Sequence, residues 1–144
     1  PIWAKVMALR LRKFIPKLIY TDQTGYVMQD HRENIRQISD ITKITSLCNI
    51  PGLIILIDFE KAFETLEWDY LDNVLETFNF RDNFRKWVKI LYKNACSAVI
   101  NNGYLSEFFK IERGIRQGCP LSAYLFILVV ETLAISIRND QKIL

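Results

Sequence analysis

The sequence has few of the residues that build metal–thiolate sites and disulfide frameworks. Its three cysteines, Cys48, Cys96 and Cys119, lie far apart, and it has one histidine, His31. Zinc sites need closely spaced Cys or His pairs, and disulfide scaffolds need an even number of cysteines. We therefore expect free thiols in a reducing compartment, and we assign no role to His31 beyond that of a solvated side chain.

Long apolar runs are also scarce. The longest, Leu121 to Leu133, is interrupted by Glu131 and is shorter than the ~20 residues that a helix needs to cross a bilayer. The N-terminus carries no charged start followed by an apolar run and a small-residue cleavage site. These features predict a protein with no membrane partner that is located in the cytoplasm or the nucleus.

Glycine and proline are too few to form linkers, with 5 and 4 residues in a chain of 144. No internal repeat or low-complexity tract divides the sequence. Half of the residues are hydrophobic and 24% are charged, the composition of one globular domain that can bury a core.

The net charge of +3 is small, but the basic residues are clustered. Before the first acid, Asp22, the chain carries five of them: Lys5, Arg10, Arg12, Lys13 and Lys17. A local basic surface suits a polyanion, although the solvated face of an ordinary helix accounts for the same pattern and is the commoner explanation.

Apolar periodicity predicts two helices in the first third of the chain. The first runs from Ile2 to Leu18, with Val6, Leu9 and Phe14 on one apolar side and basic residues between them. The second restarts at Asn34 with isoleucines at helical spacing, and we expect Pro51-Gly52 to close it.

An unbroken run of Leu and Ile, Leu53 to Ile57, comes directly before Asp58. Such a run between a turn and a polar residue predicts a strand buried on both faces, which delivers the carboxylate at its end. An alternative is that Asp58 only caps a helix that begins near Glu60.

The remaining segments alternate helical and strand signals. Two apolar stripes predict a helical pair, the first from Trp68 to Phe78 and the second from Phe84 to Tyr92. Asn102-Gly103 favours the positive φ angles of a two-residue turn and predicts a hairpin. After a glycine-bearing loop, Arg113 to Gly118, we expect a helix that begins at Pro120.

Two of these segments have the chemistry of a nucleotidyl-transfer site. Phosphoryl transfer depends on divalent metals and in-line geometry, and Mg²⁺ takes hard oxygen ligands such as the Asp58 carboxylate and the Phe59 carbonyl. The small residues of Arg113 to Gly118 let the backbone approach a base pair or a phosphate. The glycines could equally serve only the turn.

Taken together, the motifs resemble the reverse transcriptase of LINE-type, non-long-terminal-repeat retrotransposons. The resemblance covers nearly the whole chain and rests on Asp22 to Tyr26, Glu33 to Arg36, Pro51-Gly52, Asp58 to Phe63, Trp68, and Arg113 to Phe126. It implies an α+β fold: fingers and upper palm of a right-hand polymerase, incomplete at the C-terminal side. Residues 1–52 would be a fingers-like helical region. Residues 53–144 would be a partial palm.

The resemblance also implies roles for individual residues. Asp58 would be the catalytic residue and would bind the metals with the Phe59 carbonyl, while Phe63 would exclude a ribonucleotide 2′-hydroxyl. The nucleotide pocket would further contain Arg116, Gln117 and Gly118, and the nucleic acid would lie against Arg10, Arg12, Lys13 and Arg36. The simpler interpretation of Phe63 is an aromatic side chain of the core. The simpler interpretation of the basic residues is that they are solvated on the surface.

By the same resemblance, the intact parent would use two Mg²⁺ ions, or Mn²⁺, to extend a DNA primer on an RNA template with deoxynucleotides. Two of its departures from the family bear on activity: the sequence contains no Asp-Asp pair, and residues 27–31, VMQDH, lack an expected Gly-Arg pair and place the acid Asp30 there. A lone carboxylate supplies too little negative charge for two metal ions. We therefore expect the isolated chain to be inactive.

Two other kinds of protein fit the same residues. One is a remnant that binds nucleic acid without catalysis, and another is a group II intron maturase or an RNA-templated RNA polymerase. Phe63 argues against the RNA polymerase, because a bulky side chain at that position would select deoxynucleotides by steric exclusion.

Overall fold

The computed structural model describes residues 2–26 and 32–140. Within them lie the helices α1 (Ile2–Arg12), α2 (Ile15–Leu18), α3 (Arg32–Leu47), α4 (Trp68–Thr77), α5 (Asp82–Tyr92) and α6 (Pro120–Asn139), and the strands β1 (Cys96–Ser97), β2 (Ile100–Asn101), β3 (Tyr104–Leu105) and β4 (Phe109–Lys110). The motif at residues 27–31, with His31, falls outside the described residues. The mixture of helices with small antiparallel sheets agrees with the expected α+β class at this coarse level.

Helix α6 lies at the centre of the fold, because it packs against both α1 and α4, and α4 packs in turn against α5. Leu121, Leu125 and Leu128 of α6 are fully buried. Each such side chain contributes about 1.5–3 kcal/mol through burial. One continuous core joins α1 and α2 with α4, α5 and α6.

Helix α1 buries a different face from the predicted one. The buried side chains are Ala4, Ala8 and Leu11, at spacings that put them on one side of the helix. Val6 and Leu9, expected on the packed side, are about half exposed, at 50% and 53%. The small alanines let α1 approach α6 closely, and apolar periodicity alone cannot tell which of two apolar sides meets a neighbour.

Helix α3 forms where the isoleucine pattern predicted it, although it ends at Leu47, before Pro51-Gly52. None of its residues is buried. Its isoleucines at 35, 38, 41 and 44 are between 49% and 69% exposed. The pattern therefore predicted the helix correctly and left its apolar face without cover among the described residues.

The prediction of a buried strand at Leu53–Ile57 is wrong for this structure. No strand forms there, and all five side chains are exposed, Leu56 to 86%. A strand buried on both faces needs neighbours that satisfy its backbone groups. Among the described residues, no strand pairs with this segment.

The helical pair and the hairpin are confirmed. α4 buries Leu71, Val74 and Leu75, and α5 buries Val88 and Tyr92. The hairpin joins β2 to β3 in antiparallel register, and β1 pairs with β4 below it. Its turn residues Asn102 and Gly103 have φ angles of 50° and 84°, as a type I′ turn requires.

Helix α6 is longer than the apolar run Leu121 to Leu133 from which its length was judged. The structure extends this helix over 20 residues, Pro120–Asn139, and its length and composition alone would allow it to cross a membrane. A core helix passes the same test, and α6 contacts both α1 and α4. The apolar run gave too short a length because Glu131 interrupts it. In the structure Glu131 lies within α6 and is completely buried.

Candidate nucleotide and metal site

The two segments with site chemistry are brought together by backbone hydrogen bonds. The N–H of Ile115 donates to the carbonyl of Phe63 at 2.7 Å, and the N–H of Gly114 donates to the carbonyl of Leu66 at 2.7 Å. Both bonds are short, and Ile115 is only 4% exposed. The loop before α6 is thereby held against the segment that follows Asp58.

Gly114 makes this approach possible. Its φ angle of 92° lies in the region that disfavours L side chains, and an added Cβ would lie 2.7 Å from the carbonyl oxygen of Glu64. The indole N–H of Trp68 donates to the Gly114 carbonyl at 2.7 Å. Trp68 is itself held by stacking on Tyr92, with ring centroids 5.7 Å apart. The glycine thus serves a close packing contact as well as a turn.

Phe126 of α6 gathers the aromatic rings of the candidate site. Its ring stacks on that of Phe63 at 5.1 Å between centroids and meets that of Phe59 edge-on at 6.0 Å. Phe63 is partly buried against the core, and part of its ring stays accessible. This position is compatible with a core aromatic and with a ring that contacts a nucleotide. The role of Phe126 was missed, although it is the last residue of the motif that begins at Arg113.

Asp58 is exposed next to Phe59, and no helix begins directly after it. Residues 60–64 form a turn in which the N–H groups of Glu64 and Thr65 donate to the carbonyl of Lys61, at 2.9 and 3.1 Å. The next helix, α4, starts only at Trp68. The alternative that Asp58 caps a helix near Glu60 is therefore wrong, and its carboxylate is accessible.

The donors at this position suit a hard divalent cation but are few. The Asp58 carboxylate and the Phe59 carbonyl are the oxygen ligands that Mg²⁺ accepts. Among residues 2–26 and 32–140, no group of three or more acidic, Cys or His side chains could surround a metal ion. These two donors therefore fit a share of one site, not a complete site for two ions.

The predicted pocket residues Arg116, Gln117 and Gly118 lie together on the exposed turn before α6. Gly118 has a φ angle of 76°, and the N–H of Cys119 donates to the Arg116 carbonyl at 3.3 Å. The side-chain amide of Gln117 donates to the carboxylate of Glu64. This contact joins the residue after Phe63 to the pocket loop, and sequence reasoning gave Glu64 no role.

The predicted nucleic-acid contacts lie on two helices. Arg10 and Arg12 are exposed in the last turn of α1, followed by Lys13, while Arg36 is exposed on α3. Arg10 also borders an apolar groove between α1 and the start of α5. The structure places these four side chains on the surface, and the first three form one local group.

A second cluster was not anticipated from the sequence. Arg138, near the end of α6, donates to Asp22 of the Asp22 to Tyr26 motif and to the buried Glu131, at 2.9 Å in the latter pair. Its guanidinium also lies 4.0 Å from the centre of the Tyr20 ring. The cluster ties the turn after α2 to α6. Its signal in the sequence was the lone acid within the apolar run.

Comparison with known proteins gives one family. The family model described as "Reverse transcriptase (RNA-dependent DNA polymerase)" matches residues 2–144. The chain is 30% identical over 140 residues, 96% of its length, to the Transposon TX1 uncharacterized 149 kDa protein of Xenopus laevis, of which it covers 11%. It is 23% identical over 108 residues, 75% of its length, to the Retrovirus-related Pol polyprotein from type-1 retrotransposable element R2 of Popillia japonica, covering 18% of it.

A third relative is the Retrovirus-related Pol polyprotein from type-2 retrotransposable element R2DM of Drosophila melanogaster. It is 32% identical over 84 residues, which are 58% of this chain and 8% of that protein. The chain therefore spans a small part of the relatives that it matches.

Proposed function

The chain belongs to the reverse transcriptase (RNA-dependent DNA polymerase) family, and from this premise we propose that it forms the fingers and upper palm of a retrotransposon polymerase of LINE type. Residues 1–52 are the fingers-like part and residues 53–144 the partial palm. The matches to transposon and R2 retrotransposon proteins support the LINE-type assignment.

One observation carries this proposal. Two segments that are distant in the sequence meet through the Ile115–Phe63 and Gly114–Leu66 hydrogen bonds. At this junction Gln117 bonds to Glu64, and the rings of Phe59 and Phe63 both contact Phe126. A nucleotide pocket needs this convergence of a flat apolar ring, polar groups and an accessible carboxylate.

Reverse transcriptases use divalent metal ions, and we propose that Mg²⁺ is the ion here, with Mn²⁺ as a substitute. Asp58 and the Phe59 carbonyl would hold it, and when bound it would supply charge neutralisation to the triphosphate. Further carboxylates must complete the site. A polypeptide limited to these 144 residues, which contain no Asp-Asp pair, should therefore not polymerise DNA.

The partners that fit this site are an RNA template, a DNA primer and deoxynucleoside triphosphates. The protein would be located in the nucleus or the cytoplasm. Arg10, Arg12 and Lys13 would lie along the nucleic-acid backbone, because exposed cations near one helix end suit phosphates. Arg36 would contribute from α3. Arg116 would lie beside the triphosphate, since it is exposed on the pocket loop.

The proposal is tested on the role of Phe63. In a polypeptide that carries these residues together with paired aspartates, Phe63→Ala should increase CTP incorporation relative to dCTP by at least about tenfold, because the steric block is removed. The measurement is the ratio of kcat/KM values on an RNA template. Phe108→Ala, at a 70% exposed ring between β3 and β4, is the control. Unchanged discrimination with intact DNA synthesis would overturn the proposed role.

A second candidate is a nucleic-acid-binding module without catalysis. The exposed basic residues at the end of α1, Arg10, Arg12 and Lys13, favour it. Under this function the 144-residue chain binds RNA, and the logarithm of its affinity falls linearly with the logarithm of the salt concentration. Arg10→Gln and Lys13→Gln should each reduce the slope. A salt-independent or absent interaction would remove this candidate.

A further inference from the structure

We propose that Glu64 is a positioning residue whose carboxylate holds the side-chain amide of Gln117 in one orientation at the nucleotide pocket. The observation is the hydrogen bond from Gln117 Nε2 to Glu64 Oε1. This role of Glu64 rests on the proposed function, because Gln117 belongs to a nucleotide pocket only under that function.

The chemistry of the two side chains fixes the orientation. An ionised carboxylate can only accept hydrogen bonds, whereas a carboxamide has one accepting and one donating end. The flipped amide would place its carbonyl oxygen against the Glu64 carboxylate, where the two acceptors repel. Glu64 therefore binds the N–H end, and the carbonyl oxygen of Gln117 remains available to a donor on the ligand.

Backbone contacts on either side of the pair hold Glu64 and Gln117 close to each other. Gly114 has no Cβ and lies against the Glu64 backbone, so the two segments approach within contact distance. The hydrogen bonds Ile115–Phe63 and Gly114–Leu66 fix their register on either side of Glu64. Both side chains are exposed, but the hydrogen bonds hold their backbones in register. The pair therefore loses less side-chain freedom than two long side chains on independent segments would.

The charge of Glu64 has a consequence for what Gln117 contacts. A carboxylate beside the amide repels phosphate groups, so this edge of the pocket favours an uncharged part of the nucleotide. Phe63, which precedes Glu64 in the same turn, stacks on Phe126 of α6. Glu64 and Phe63 therefore place one polar and one apolar constraint on the same part of the ligand.

A first test needs no nucleotide. In the ¹⁵N-labelled 144-residue chain, the Gln117 side-chain NH₂ signal is assigned by its loss in Gln117→Ala, and its ¹⁵N{¹H} NOE is measured. We expect a value close to that of the ordered backbone, a clear fall in Glu64→Ala, and partial retention in Glu64→Asp. Glu67→Gln is the matched control, because Glu67 lies in the same segment but pairs with Arg113. An equally mobile amide with and without Glu64 would overturn the inference.

A second test separates positioning from general stability. In a polymerase-competent polypeptide that contains these residues, Glu64→Ala should raise the KM for deoxynucleotide about 2- to 10-fold, the loss expected when one polar side chain must be ordered on binding. In a Gln117→Ala background the same change should have no further effect. Multiplying effects would show that Glu64 does not act through Gln117.

The two tests give different results if Glu64 does not orient Gln117 and if Gln117 is not part of the nucleotide pocket. If Gln117→Ala leaves the KM unchanged, the pocket assignment under the proposed function is wrong. The NOE of the Gln117 amide still decides whether Glu64 orients it.

Discussion

Arg138 donates to both carboxylate oxygens of Asp22, at 2.8 and 2.9 Å, across 116 positions of sequence. The same guanidinium is the ion-pair partner of Glu131, whose side chain is completely buried. A buried carboxylate is stable only when it is paired, so Arg138 both neutralises the core acid and anchors the turn at Asp22.

Replacing Arg138 by Met should lower the free energy of unfolding by about 2–4 kcal/mol, because it leaves the buried carboxylate of Glu131 unpaired. Chemical denaturation monitored by circular dichroism measures the change. Lys43→Met removes an exposed cation on α3 and should stay within about 0.5 kcal/mol of the original chain. Equal losses in the two variants would contradict the pairing argument.

A glycine series separates backbone strain from steric contact. Gly114→Ala should destabilise the fold by about 2–4 kcal/mol, because φ is positive and the new Cβ meets the Glu64 carbonyl. Gly103→Ala has positive φ but open space and should cost about 1 kcal/mol. Gly52→Ala meets nothing and should be close to neutral. Thermal unfolding should rank the three in this order, and a neutral Gly114→Ala would refute the contact.

Truncation of Phe126 should affect both stability and the pocket. Phe126→Ala removes the ring that packs on Phe63 and Phe59, with an expected loss of about 2–3 kcal/mol for a partly buried aromatic. Phe126→Leu should recover about half of it. Differential scanning calorimetry gives the values, with Phe108→Ala as the exposed control. A loss no larger than the control's would mean that the rings do not support one another.

Acid stability should report on Asp72. Its carboxylate accepts from Arg85 at 2.7 and 3.0 Å, and these bonds lower its pKa from 3.8 to about 2. Lys89 lies 2.8 Å away and acts in the same direction. The folded state holds the charged form more tightly than the unfolded chain does, so this contribution is complete above about pH 4 and is lost as pH falls towards about 2.

The Asp72→Asn variant should lose on the order of 1 kcal/mol at pH 7, after allowance for solvent screening, and little below pH ~2. Urea unfolding measured at several pH values tests this convergence. Asp40→Asn, at an exposed carboxylate on α3, should keep the same pH profile as the original chain. Parallel curves for Asp72→Asn and the original chain would contradict the ion-pair assignment.

Local signals predicted the elements that depend on local physics. Asn102-Gly103 specified the hairpin because few dipeptides adopt two positive φ angles, and Pro120 marked the start of α6 because its missing N–H is not needed there. The motifs around Asp58 and Arg113 also indicated the family, which the comparisons confirm. These predictions needed no knowledge of distant partners.

Predictions that depended on a packing partner were less successful. The run Leu53–Ile57 was expected to be a buried strand, but among the described residues it has no strand to pair with. The face of α1 was misjudged for a related reason, since Ala4 and Ala8 gain their importance only from the close approach of α6. Periodicity identifies an apolar side, and only the neighbour decides whether it is buried.

The amino-acid sequence by itself determined the family, the segments in which most helices and the hairpin form, and the side-chain chemistry available at Asp58, Phe63 and Gln117. The tertiary structure decided which of these groups meet: Glu64 with Gln117, and Asp22 with Arg138. These contacts join residues far apart in the chain, and their geometry depends on core packing and on a missing Cβ at Gly114. No local pattern encodes such partners, because any exposed acid could pair with any amide or guanidinium until the fold brings two of them together.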